Sequence, residues 1–167
     1  MELLIPGLIL VGLMVYASTR IKRSAARAFE EETIETTDFI LTKPEGMLQI
    51  LNGDPDLAFE AYSKGFGTVG RREVRLVTAK VVISEQKTED NVTELSGFNE
   101  VIGDHHYRVT ESKQIEDGGE FRITRKASDR DGKTIVLEVT ALDTVPDQLL
   151  RKIDLMIQSF RLTDRSV

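Results

Sequence analysis

Three runs of alternating residues, "HHYRVTESKQI", "EFRITRKAS" and "KTIVLEVTALD", follow one another between His105 and Asp143, separated only by short turns at Gly118-Gly119 and Asp131-Gly132. Apolar and β-branched residues at every second position suit a pleated strand with one buried face. Asp-Gly between two such runs is a strong hairpin signal. The chain is thus committed to an antiparallel sheet, and such a sheet needs something to lie on its apolar face.

The remaining segments supply more strands and the cover. "TTDFILTKPEG" reads as a first strand stopped by Pro44 and Gly46. "LAFEAYSK" puts Leu57, Phe59 and Ala61 on one side of a strand, with a short helix as the alternative. "EVRLVTAKVVIS" aligns Val77, Ala79, Val81 and Ile83 on one face. "NVTELSGFNEVIG" changes period: Leu95, Phe98 and Ile102 share a helical face that Gly103 can end. "VPDQLLRKIDLMIQSFRL" is an amphipathic helix with Pro146 near its first position and a stripe of Leu149, Leu150, Ile153, Met156, Ile157 and Phe160. Two helices over one antiparallel sheet define an α+β fold.

The N-terminal run "LLIPGLILVGLMVYASTRIKR" sets a separate expectation. Nothing from Leu3 to Thr19 is charged, and a helix of that length approaches the ~30 Å hydrocarbon core. It is apolar all round, with Leu3, Leu8, Leu10 and Leu13 in the run and Tyr16 at an interfacial position. Arg20, Lys22 and Arg23 follow it, whereas a signal peptide carries its positive charge in front. The expectation is a retained transmembrane anchor and juxtamembrane helical stalk over 1–32, then a globular domain over 33–167. Basic residues stay on the cytoplasmic side, so the N-terminus is expected outside and the domain inside as a single-pass membrane protein.

Charge and composition narrow the partners. Four basic and four acidic residues up to Glu32 cancel, so the net charge of -6 belongs to the domain. An acidic domain is repelled by phosphate backbones, which argues against nucleic acid. The absence of cysteine removes disulfides, thiol nucleophiles and thiolate metal sites.

A Pro-Gly-terminated first strand, "FILTKPEG", then "HHYRVTES", "EFRITRKASDRDGKTIVLEVTA" and the closing "LLRKIDLMIQSFRL" together resemble the PsbP-like family over about residues 38–162. That family includes the extrinsic photosystem II subunit, a Ran-binding nuclear protein and bacterial exported domains. Met47 stands where the family often has an aromatic residue, and a plain N-terminal helix replaces the usual cleaved signal or lipid anchor. The resemblance implies an α/β/α sandwich and a binding or accessory role, and it carries over no site residue.

Three motifs point toward chemistry, each with a plainer reading. Gly65, Gly67 and Gly70 spell G-x-G-x-x-G, but such glycines cradle a pyrophosphate only between a strand and a helix, and a strand follows here. His105 and His106 are the only histidines, and neighbours on a strand point to opposite faces. "ASDRDGKTIVLE" places Asp129, Asp131 and Glu138 at calcium-loop positions, yet begins with Ala127 and sits between strands. No catalytic residue, cofactor or metal ligand is assigned. The function expected is a membrane-anchored, non-enzymatic accessory module, a peripheral subunit or assembly factor of a larger membrane complex. Its expected partners are the lipid bilayer and an integral membrane protein. The alternative is a tethered ligand-binding or hydrolytic domain whose site would gather polar groups around His105 or the Gly65–Gly70 loop.

Overall fold

The computed structural model describes residues 13–16, 18–20, 26–51, 53–85 and 96–163. The strands are β1 (Glu32–Glu35), β2 (Phe39–Lys43), β3 (Met47–Gln49), β4 (Leu57–Ser63), β5 (Phe66–Val69), β6 (Arg72–Arg75), β7 (Val77–Ser84), β8 (Ser96–Ile102), β9 (His105–Glu116), β10 (Gly119–Arg130) and β11 (Lys133–Leu142). A closing helix, Asp147–Ser159, and a two-residue strand β12, Arg161–Leu162, follow.

The main sheet has seven strands in the order β3-β4-β7-β11-β10-β9-β8. Its centre is the meander expected from the alternating runs: β9, β10 and β11 pair antiparallel in unbroken register. Both hairpins turn on Asp-Gly. Asp117 and Gly118 have φ of 51° and 84°, Asp131 and Gly132 of 53° and 75°. Positive φ at both loop residues matches the right-handed twist of the flanking strands. The first turn is therefore Asp117-Gly118, one residue earlier than the sequence suggested, and Gly119 opens β10.

One face of this sheet is the core. Val77, Ala79 and Val81 of β7, Phe59 and Ala61 of β4, and Ile135, Leu137 and Val139 of β11 are buried there. The closing helix lies on this face through Ile153 and Met156. Beside it lies a ribbon in the order β1-β2-β12, whose Phe39, Leu41 and Leu162 are also buried. Phe160, fully buried just after the helix, joins the layers: its ring stands 5.9 Å from Phe39 of the ribbon and 6.5 Å, edge-on, from Tyr107 of the sheet. Arg130 ties β10 to the ribbon, donating to Asp38 Oδ1 at 2.9 Å and to the Thr163 carbonyl at 2.6 Å.

The other face carries no helix among the described residues; it buries Ile123 and Leu142 near the first hairpin and is polar along its middle. A cross-strand row runs Arg125, Glu138, Lys80, Glu60. Within it the Glu138 carboxylate accepts from Arg125 Nε at 2.7 Å and Lys80 Nζ at 2.8 Å. Burial pushes the Glu138 carboxyl up, but those two hydrogen bonds and charges outweigh it and hold it below its ordinary value.

Three expectations are corrected. The fold is mostly β rather than a sheet between two helical layers. "SGFNEV" is strand β8, paired with β9 in register Phe98↔Val109 and Glu100↔Tyr107, so Phe98 is exposed at a sheet edge instead of buried on a helix. Its apolar spacing fits both periods, and the edge of β9 offered ladder hydrogen bonds that an isolated short helix lacks. Third, no helix among the described residues is long and apolar enough to cross a membrane. This overturns the expected transmembrane helix, the single-pass membrane localisation and the cytoplasmic placement drawn from it.

Two measurements test this architecture. Phe160→Ala is expected to cost about 3–5 kcal/mol in urea unfolding, because it empties the joint of three layers. The lowered Glu138 carboxyl means that the unfolded chain takes up this proton first as pH falls. Its stabilisation is complete above the ordinary carboxylate value of 4.5 and is lost as pH drops through the lower folded value. Thermal melts between pH 6 and pH 3 are expected to fall less steeply for Glu138→Gln than for the parent.

Candidate functional site

The ribbon and the β8–β9 hairpin do not meet along their full length. Between them lies a groove of about 480 Å³. One wall comes from the ribbon: Glu35 of β1, Ile40 of β2 and Arg161 of β12. The register explains the arrangement. Glu35 and Arg161 are both directly opposite Ile40, on its two sides, so the three side chains rise from the same face of the ribbon in one row. Alternation sends Phe39 and Leu41 the other way, into the core.

The opposite wall is the β8–β9 turn, with Ile102, Gly103 and His105. Tyr107 and Leu162 close the back: the Leu162 amide donates to Tyr107 Oη at 2.8 Å, fixing the phenol across the seam. Tyr107 is held from behind by Lys126, whose ammonium lies 4.8 Å from the ring centre. Lys126 is buried and satisfied. It pairs with Glu100 Oε2 at 3.1 Å and donates to the Ile157 carbonyl at 3.2 Å in the last turn of the closing helix. That turn has no basic residue of its own, so the sheet supplies the cation that complements the helix dipole.

A second buried lysine anchors the chain entering the ribbon. Lys43 donates to the carbonyls of Ala28, Glu30 and Met47 at 3.4, 2.5 and 3.0 Å. Burial lowers its ammonium from the ordinary lysine value, and the nearby Glu32 charge opposes that shift only in part. It therefore fastens residues 28–30 to the domain, and the expected helical stalk ends at Arg27.

The sequence candidates separate cleanly. His105 lines the groove while His106 is exposed on the opposite face, as strand alternation requires. The G-x-G-x-x-G glycines form the β5–β6 hairpin. A Cβ on Gly65 would come within 2.8 Å of Leu76 Cδ1, and one on Gly67 would collide with Leu142 Cδ2. Those two glycines let a hairpin pack close, and no helix follows to receive a phosphate. In the calcium-loop mimic, Asp129 accepts from Thr134 Oγ1 at 2.6 Å and Glu138 is taken by Lys80 and Arg125. Among the described residues no group of three His, Cys, Asp or Glu could hold a metal. Of the expected anchor residues, Leu13 and Tyr16 are exposed, Arg20 is helical, and Leu3, Leu8, Leu10, Lys22 and Arg23 lie outside the described residues. Glu35, Ile40 and Arg161 were missed because their juxtaposition depends on pairing between strands far apart in the chain.

The fold itself is PsbP-like. It is similar to the solution structure of cyanobacterial PsbP (CyanoP) from Synechocystis sp. PCC 6803, with a TM-score of 0.54 and 12% identity over 80% of this chain and 92% of that one. It is also similar to a crystal structure from Bacteroides thetaiotaomicron VPI-5482, with a TM-score of 0.50 and 10% identity over 76% of this chain. The match spans only 46% of the Bacteroides chain. Neither a protein-family scan nor a search of curated proteins gives a match.

The Lys126 arrangement has a measurable consequence. Lys126→Met keeps the bulk but strips partners from the Ile157 carbonyl and Glu100, and is expected to cost about 1–3 kcal/mol in chemical denaturation.

Proposed function

We propose that the protein is a non-enzymatic accessory module that acts by binding, as a peripheral subunit or assembly factor of a larger protein complex. The PsbP-like fold carries this reading, since it matches CyanoP over nearly the whole of that chain. The acidic charge of -6 favours a protein partner over nucleic acid. The polar groups around the groove support a ligand-binding role as the second reading, because Glu35, His105 and Arg161 border one cavity with an apolar floor.

The test is recovery of the tagged full-length chain from native extract, followed by size-exclusion chromatography and mass spectrometry. Co-elution with the same partner at fixed stoichiometry across preparations is the expected result. Elution of the chain alone, under conditions that preserve other complexes, would remove the accessory reading.

A further inference from the structure

We propose that the groove between the ribbon and the β8–β9 hairpin binds a short free peptide, or a like zwitterion, through Glu35 at its ammonium end and Arg161 at its carboxylate end. The inference rests on the reading of the protein as a binding module and gives that module a ligand class.

The row Glu35, Ile40, Arg161 carries the argument. The two charged residues flank one apolar residue on three adjacent strands, so their Cα atoms stand two strand spacings apart, about 9.6 Å. Both are exposed, and neither has a hydrogen-bond or ion-pair partner for its side chain among the described residues. Most other charged groups near the ribbon are engaged: Asp38 by Arg130, Lys43 by three carbonyls, Lys126 by Glu100. Among the described residues the groove thus presents two unpartnered charged side chains of opposite sign on strands of fixed spacing, with the apolar Ile40 between them.

This pattern discriminates among ligands. A simple anion meeting Arg161 would be opposed by Glu35, and a simple cation the reverse. A molecule with both charges satisfies both. The planar Arg161 guanidinium suits a carboxylate with two parallel N–H donors. The Glu35 carboxylate suits an ammonium. Ile40 and Ile102 leave room for an apolar side chain, and the volume of about 480 Å³ lies in the range of small-molecule sites. Because both chain ends are read, an internal segment of a protein does not fit; a free di- or tripeptide does.

The experiment uses the full chain, isotopically labelled, titrated with the tripeptide Ala-Leu-Ala and followed by amide chemical shifts. Saturable shifts at Ile40, Ile102 and His105 are expected. N-acetylation or C-amidation of the peptide should weaken binding by roughly tenfold or more, the loss of one charge-assisted contact. Arg161→Gln should weaken Ala-Leu-Ala by a similar factor but leave the amidated peptide's affinity unchanged. Glu35→Gln should do the same for the acetylated form. Both residues are exposed, and an unchanged thermal transition verifies the fold of each variant. Absent shifts at millimolar peptide would overturn the inference, as would equal binding of the capped peptides or indifference to both substitutions. If the peptide fails while the native complex is still recovered, the ligand class falls and the accessory reading stands. If the peptide binds and no complex is recovered, the reverse holds.

Discussion

The structure depends on covering one face of a seven-stranded sheet with too little helix. Seven strands at about 4.8 Å span roughly 29 Å, while one helix covers a strip about 10 Å wide. The closing helix cannot exclude water from that face alone. The ribbon of β1, β2 and β12 supplies the missing cover, and Phe160 sits where helix, ribbon and sheet converge. The groove follows from the same geometry. The ribbon's outward residues face the β8–β9 turn without closing on it, and the cleft lies between them.

Two lysines show how polar atoms enter this core without strain. Lys43 follows Phe39 and Leu41 on the buried side of β2, and Lys126 lies on the covered face of β10. Lys43 ends among three backbone carbonyls, and Lys126 between the Ile157 carbonyl at the helix end and the Glu100 carboxylate, so these acceptors offset part of the cost of burying each cation.

The strand pattern was legible because it is local: alternation in β4, β7, β10 and β11 and the Asp131-Gly132 turn are decided within a few residues, while the first turn falls one residue earlier than the sequence suggested. The closing helix was legible for the same reason, its Ile153 and Met156 lying inside as the period required. Strand β8 was misread because Leu95, Phe98 and Ile102 satisfy a helical period, and only the neighbouring β9 decides otherwise. An apolar run at the N-terminus suggested a membrane span, yet hydropathy reports only that a segment avoids water. The groove was partly legible: His105 was a candidate, whereas Glu35 and Arg161 belong to strands paired through β2 across most of the chain. Lys43 was visible in principle, as a cation continuing the parity of Phe39 and Leu41.

Strand β12 has a consequence for how the chain is made. It contributes two residues, but they complete the ribbon, and the Thr42 amide already reaches Ser159 across 117 positions. During synthesis β2 leaves the ribosome next to β1 but long before its second partner, β12, exists, presenting Phe39 and Leu41 without the cover of the closing helix. The meander of β9 to β11 closes from neighbouring segments, while the ribbon waits for the last residues of the domain to emerge. Such distant pairing slows the final step and lengthens the interval in which apolar strand surface is open to chaperones or to other nascent chains.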